Sequence, residues 1–161
     1  MAWIEGSHKR TFSVNVPLDE AADFMSDPGR IQRAMVSLDV SEKVDDQTYR
    51  WLLKEIGAKN ITFRGDYTVR YSREGNKVTW ESLEDTGNMR TSGKAEYKDL
   101  GNGKTEITYE ETLASDLPIP KLAAKVFRPI VAREVTKGID EFIDALEETM
   151  NKGKHLAEVG P

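Results

Sequence analysis

Residues 61–72 read Ile-Thr-Phe-Arg-Gly-Asp-Tyr-Thr-Val-Arg-Tyr-Ser, and their apolar and polar side chains alternate without interruption. Because successive side chains of a strand point to opposite faces of its sheet, this pattern predicts a strand with one buried face. Further alternating segments follow short turn sequences, at residues 78–84, 89–98 and 105–113. From residue 131 onward the apolar residues recur every three or four positions, which predicts a final amphipathic helix.

The first third of the chain adds strands and two short helices to this sheet. Residues 9–16 alternate and predict strand 1, which Pro17 ends. Asp19 is placed to cap a helix over residues 20–25, and Asp27 with Pro28 begins a second short helix. The next extended segments are residues 36–43 and 48–56.

Together these elements predict an α+β fold, a curved antiparallel sheet of six or seven strands around a long C-terminal helix, with two short helices after strand 1. Such a sheet closing on a single helix encloses a cavity. We expect one domain over residues 8–150 and a flexible tail over residues 151–161. Pro129 should kink the helix or split it near residue 128.

The composition argues against nucleic acid as a partner. The net charge is −5, and no basic block of the kind that neutralises nucleic-acid phosphates is present. The chain has no cysteine, and His8 and His155 lie outside any metal-ligand spacing, so neither a metal nor another cofactor is predicted. No run of eighteen apolar residues occurs, and the expected location is the cytoplasm.

Three stretches carry a resemblance to a known family: Phe12–Glu20, a strand ending in proline before an acidic cap; Phe24–Pro28; and Gly103–Ile107, which leads into the last strand. They resemble the SRPBCC superfamily of START and pollen-allergen-like helix-grip domains. Within it, the chain is most similar to polyketide cyclase/dehydrase-type and carbon-monoxide-dehydrogenase-subunit-G-like members. The resemblance implies the helix-grip fold and a ligand cavity, and it implies no reaction.

The alternation also selects candidate ligand-binding residues on the concave face and the facing helix. Aromatic rings dominate the set, which suits a small hydrophobic or amphipathic ligand. The alternative is that the rings only fill the core. The candidates are Trp51, Phe63, Tyr67, Tyr71, Trp80, Tyr109, Glu111, Val135, Gly138 and Phe142.

Glu111 is the candidate for a catalytic residue, because the alternation places it on the inner face between Tyr109 and Leu113. Burial in an apolar pocket raises the pKa of a carboxyl group, which then can act as a general acid or base. The alternative is an ion pair with a lysine or arginine, such as Arg133 on the final helix. Arg133 could otherwise hold a ligand carboxylate or lie at the rim.

Two further features bear on the cavity. Gly138 lies on the predicted inner side of the helix, where either the backbone approaches the sheet closely or the missing side chain leaves room for a ligand. The apolar segment Leu117–Ile130 is a lid, a contact surface for a protein or a membrane, or a plug for the open end of the sheet.

The sequence favours binding of a small hydrophobic or amphipathic molecule, as carrier, sensor or presenter. A cyclase, dehydratase or isomerase that uses Glu111 or a pocket tyrosine is the first alternative, and the lack of a pocket histidine argues against it. The second alternative is an accessory protein that acts by protein contact.

Overall fold

The computed structural model describes residues 2–58, 60–84 and 86–156. Seven antiparallel strands form one sheet in the order β1-β9-β8-β7-β6-β3-β2, and β4 and β5 form a separate two-stranded sheet. The strands are β1 Ala2–Val14, β2 Leu38–Asp45, β3 Thr48–Leu53, β4 Ile56–Ala58, β5 Ile61–Phe63, β6 Asp66–Glu74, β7 Lys77–Ser82, β8 Met89–Gly101 and β9 Lys104–Leu117. The α-helices are α1 Leu18–Met25, α2 Pro28–Ile31 and α3 Ala124–Asn151, and 3-10 turns cover Gln32–Ala34, Lys121–Ala123 and Lys154–Leu156.

This architecture is the predicted one: a seven-stranded antiparallel sheet, a long C-terminal helix and short helices after strand 1. The cap of α2 is confirmed, because the Asp27 side chain accepts a hydrogen bond from the Gly29 N–H at 3.0 Å and Pro28 occupies the first helical position. The predicted cap of α1 is wrong. The helix begins at Leu18, and Asp19 lies in its first turn, where a carboxylate favours the helix dipole.

Most element boundaries differ from the predicted ones by a few residues, and three differences are larger. Strand β1 begins at Ala2 because its first residues pair with the end of β9, Ala2 opposite Leu117. The stretch 61–72 is two strands, separated by residues 64–65: β5 pairs with β4, whereas β6 pairs with β3 and β7. Helix α3 is continuous through Pro129, so the predicted split is wrong.

The two ends of the main sheet differ, and we name them by the residues found there. The open end carries the strand termini Ala2, Leu38, Leu53, Asp66, Ser82, Met89 and Leu117, and the closed end carries Val14, Asp45, Thr48, Glu74, Lys77, Gly101 and Lys104. Helix α3 runs from the open end to the closed end, where the Asn151 side chain accepts a hydrogen bond from the Asn15 N–H at 2.8 Å. Helices α1 and α2 pack into the core at the closed end.

Charged side chains fasten α3 to the edge strand β1. His8 lies 2.9 Å from the Asp140 carboxylate, and Arg10 donates to Asp140 at 3.3 Å and to Asp144 at 2.8 Å. All of these groups are at least partly exposed, so each pair contributes little stability, but together they hold the helix against one edge of the sheet.

Beyond α3 most residues up to Leu156 are exposed, and a few contacts join them to the rest of the protein. His155 is buried edge-on against the Phe24 ring, and the Lys154 carbonyl accepts a hydrogen bond from Arg33 at 2.6 Å. Residues 157–161 lie outside the described residues, and the flexibility of the tail stays a prediction. Within the described part of the chain, no helix has the length and apolar character needed to cross a membrane.

Candidate functional site

A cavity of about 410 Å³ lies between the concave face of the sheet and α3, toward the open end. Its volume falls within the range of about 300–1,000 Å³ that is typical of small-molecule sites. The wall is formed by residues of β3, β4, β5, β6, β8 and β9, by residues 35–37 and by residues 127–142 of α3. The exposed side chains around its mouth are Val36, Lys54, Ile56, Glu134, Lys137 and Glu141.

Eight of the ten predicted site residues line this cavity: Trp51, Phe63, Tyr67, Tyr71, Glu111, Val135, Gly138 and Phe142. Trp80 and Tyr109 are buried one layer deeper, beside a void of only about 10 Å³ that Tyr71 and Phe142 also line. Sequence alternation therefore placed all the aromatic candidates in the interior, but it could not separate the cavity wall from the layer behind it. Their role as ligand contacts stays a prediction.

The aromatic side chains form one continuous array. Tyr71 stacks on Trp80 with ring centroids 5.7 Å apart, and Trp80 lies 4.9 Å from Tyr109. Trp51 meets Tyr67 and Tyr71 edge-on at 5.9 and 6.0 Å. Since each ring is held by its neighbours in a preferred geometry, the array gives the cavity a stiff apolar wall.

Glu111 is the carboxylate in this wall, and three side chains donate hydrogen bonds to it. Trp80 Nε1 and Thr91 Oγ1 donate to Oε2 at 3.0 and 2.6 Å, and the Tyr109 hydroxyl donates to Oε1 at 2.9 Å. Burial raises the pKa of Glu111, and the three donors oppose that rise without cancelling it. Thr91 was missed as a site residue, although its alternation with Met89 and Gly93 indicates the inner face.

The predicted ion pair between Glu111 and Arg133 is not formed. Arg133 is exposed on α3, and among the described residues no Lys or Arg side chain pairs with Glu111. The rotation of α3 about its axis places Glu134 and Gly138 at the cavity and turns Arg133 to solvent. Glu111 therefore faces the cavity without a compensating cation.

Three further polar groups in the wall have unused hydrogen-bonding capacity. Among the described residues, the hydroxyls of Tyr67 and Tyr71 make no hydrogen bond, and the buried Trp51 Nε1 lacks an acceptor. Burial, followed by the charge of Glu111, raises the pKa of both tyrosines. They are therefore neutral donors and acceptors at physiological pH.

Gly138 provides space rather than close packing. A Cβ added at Gly138 would meet no atom within 4 Å, and the residue lines the cavity. The close approach of helix to sheet occurs elsewhere, at Gly6 of β1, where an added Cβ would lie 3.0 Å from Val135 Cβ and 3.2 Å from Ala132 Cα. Gly6 was not predicted as a contact, because the predicted strand 1 begins after it.

The segment Leu117–Ile130 divides into three parts. Leu117 and Ile119 are buried against Ala2 and Ile4, and so act as a plug. Phe127 and Ile130 line the cavity. Leu122 and Val126 are exposed by 96% and 58%, respectively. A lid movement of this segment stays a prediction.

Comparison with known proteins agrees with this fold. Residues 6–150 match the family described as polyketide cyclase / dehydrase and lipid transport. The chain belongs to this family. Comparison with curated proteins gives no match. Members of the SRPBCC superfamily share the helix-grip architecture described above, so the resemblance drawn from the sequence is confirmed.

Solved structures that are similar to this chain include enzymes and a START superfamily protein. The Zhui aromatase/cyclase from Streptomyces sp. R1128 has a TM-score of 0.73 at 12% identity, covering 96% of this chain and 99% of its own. A START superfamily protein from Mycobacterium smegmatis has a TM-score of 0.67 at 14% identity, covering 91% and 97%. Norcoclaurine synthase from Thalictrum flavum, in complex with dopamine and hydroxybenzaldehyde, has a TM-score of 0.59 at 11% identity, covering 97% and 91%. At these identities the likeness concerns the fold alone.

Proposed function

We propose that the protein binds a small planar, amphipathic molecule in the cavity between sheet and helix, as a carrier, sensor or presenter. The observation that carries this proposal is a cavity of about 410 Å³ with an aromatic wall and a few unpaired polar groups. Ligand sites typically combine such an apolar lining with a small number of orienting polar atoms. The family's ligand-binding members support the same conclusion.

The polar groups define the chemistry of the ligand. Oε1 of Glu111 accepts one hydrogen bond from Tyr109, and a carboxylate oxygen has capacity for two, so it has one acceptor position left. The ligand supplies a donor there, such as a phenolic hydroxyl. The hydroxyls of Tyr67 and Tyr71 match a carbonyl or hydroxyl elsewhere on the same molecule.

A proton-transfer enzyme of the cyclase, dehydratase or isomerase type is the second candidate. One observation favours it: Glu111 faces the cavity, has a raised pKa and lacks a cationic partner among the described residues. A carboxyl group in that state exchanges a proton at a pH close to neutral more readily than an exposed one. The aromatase/cyclase and norcoclaurine synthase folds show that the architecture is compatible with catalysis.

Calorimetric titration with two probes tests the binding proposal. Naphthol has a planar ring and a hydroxyl donor, whereas its methyl ether lacks the donor. We expect naphthol to bind about tenfold more tightly, since a hydrogen bond to a carboxylate contributes about 1.5–3 kcal/mol. Glu111→Gln should remove this preference, and Glu110→Gln, on the opposite face of β9, should retain it. Equal binding of both probes, or binding of neither, would contradict the assignment.

Native mass spectrometry of the protein purified from its own host separates carrier from enzyme. A carrier retains the same ligand mass in the wild type and in Glu111→Gln, because the change alters affinity only. An enzyme retains substrate in the variant and a different mass, or none, in the wild type. Identical bound masses would exclude the proton-transfer role of Glu111.

A further inference from the structure

Exposed apolar side chains are concentrated at the open end. Six of the ten large apolar side chains that are exposed among the described residues lie there: Trp3, Val36, Ile56, Leu83, Leu122 and Val126. The remaining four are spread over β2, the closed end and the C-terminal turn. Exposed apolar groups are ordinary when scattered, but a cluster beside a cavity mouth marks an interaction surface.

At the same end, the segment that leads into α3 carries a charge opposite to that of the whole chain. From residue 117 to residue 133 the sequence contains Lys121, Lys125, Arg128 and Arg133 and no acidic residue, in a chain of net charge −5. All four cations are exposed. Exposed leucine and valine interleaved with lysine and arginine fit a partner that is apolar within and anionic at its surface, which describes an anionic lipid bilayer.

The cavity opens beside this surface. Val126, Ile130 and Glu134 are spaced four residues apart and so follow one another along one side of α3. Ile130 and Glu134 line the cavity, which places Val126 at the continuation of its rim. Across the mouth, Val36 and Ile56 are both exposed and part of the lining.

Trp3 supplies an aromatic group at this end. It lies opposite Asp116 at the start of β1, with the Arg90 guanidinium 4.1 Å from its ring centroid. Tryptophan and arginine side chains are common at the level of lipid headgroups. Glu134 and Glu141, further along α3 at the mouth, resist burial and limit the contact to the first turns of the helix.

We propose that the open end docks on the surface of a bilayer that contains anionic lipids, through Leu122, Val126 and the cations around them, with the cavity mouth next to the membrane. An apolar ligand then passes between bilayer and cavity with little exposure to water. The docking does not depend on which ligand is bound, so it is tested separately from the proposed function.

Sedimentation with vesicles tests the docking. We expect binding to vesicles of phosphatidylcholine mixed with phosphatidylglycerol, weak binding to phosphatidylcholine alone, and release by salt. The double variant Lys121→Gln with Lys125→Gln should bind about twenty-fivefold more weakly, from about fivefold for each cation lost near an anionic surface. Leu122→Gln with Val126→Gln should weaken binding about tenfold without changing charge.

Matched variants at the closed end serve as controls. Lys77→Gln with Lys104→Gln removes the same charge, and Val44→Gln with Leu100→Gln removes the same kind of exposed side chain. Both should bind vesicles like the wild type, and all variants should keep the wild-type thermal midpoint. Equal weakening by the two charge variants would mean a nonspecific effect and overturn the proposal. Absence of vesicle binding, with or without capture of a protein partner by the same surface, would also overturn it.

Discussion

The two halves of α3 carry similar apolar spacings and have different roles. In the C-terminal half, Ile143, Leu146 and Met150 are buried in the core away from the cavity, whereas Ile139 is buried at the cavity wall. In the first half, Val135 is the one residue that is buried, and Phe127, Ile130 and Val131 border the cavity. A helix of one pattern thus provides stability at the closed end and a binding surface at the open end. Residues that line a cavity make fewer packing contacts and therefore contribute less to the stability of the fold.

The largest expected contrast comes from truncating one isoleucine in each half. Ile143→Ala should lower the free energy of unfolding by about 2–5 kcal/mol, because the site is fully packed and leaves a new void. Ile130→Ala should cost less than about 1 kcal/mol, because it borders existing space. Urea unfolding of both variants measures the difference. Equal losses would mean that the cavity is filled or closed in solution.

A substitution at Gly93 tests how tightly the aromatic layer behind the cavity is packed. A Cβ there would lie 2.6 Å from the Glu110 carbonyl oxygen and would clash with the Trp80 ring. Gly93→Ala should therefore lower stability by about 1–3 kcal/mol, as overpacking does. It should also disturb the hydrogen bond from Trp80 to Glu111 and shift the tryptophan emission. An unchanged melting temperature and emission spectrum would show that this layer is loosely packed.

The contribution of Glu111 to the free energy of unfolding should depend on pH. Its pKa is raised above 4.5 in the folded protein, so the folded state binds the proton more tightly than the unfolded state. The free energy of unfolding should fall as pH rises from about 4.5 through the folded pKa, by at most about 1.4 kcal/mol per pH unit, and then level off. Below the unfolded pKa the group contributes no pH dependence.

The variant Glu111→Gln should lack this fall, and subtraction of its stability curve from that of the wild type isolates the contribution of Glu111. A glutamine can retain the contacts, accepting from Trp80 and Thr91 while the Tyr109 hydroxyl accepts from its amide. Urea midpoints measured from pH 4 to pH 8 give both curves. A difference that rises with pH would mean a lowered pKa and would remove the enzyme hypothesis.

Gly138 should give the smallest effect. Because nothing lies within 4 Å of an added Cβ, Gly138→Ala should stabilise the protein by about 0.8–1 kcal/mol through helix propensity alone. Its thermal midpoint compared with that of the wild type measures the gain. A loss of stability would place the helix backbone closer to the sheet than the structure has it.

Sequence alternation predicted the sheet, its inner face and the aromatic residues of the cavity wall that lie on strands, because a period of two is a local property of each strand. It could not predict the break between β5 and β6, since the alternation continues through residues 61–72 even though the strand does not. Nor could it predict that Arg133 turns away from Glu111. The rotation of α3 relative to the sheet depends on contacts such as that of Gly6 with Val135, which join residues distant in the chain.

The attachment of α3 to β1 has a mechanical consequence for the cavity. Contact at Gly6 and the pairs of His8 and Arg10 with Asp140 and Asp144 hold the helix to one edge of the sheet. Across the mouth stands the small β4–β5 sheet, which shares no strand pairing with the main sheet. We therefore expect α3 to keep its position when a ligand binds. The β4–β5 sheet can be displaced, because its movement breaks no strand pairing of the main sheet. We expect a ligand that is longer than the cavity to displace β4–β5 rather than α3.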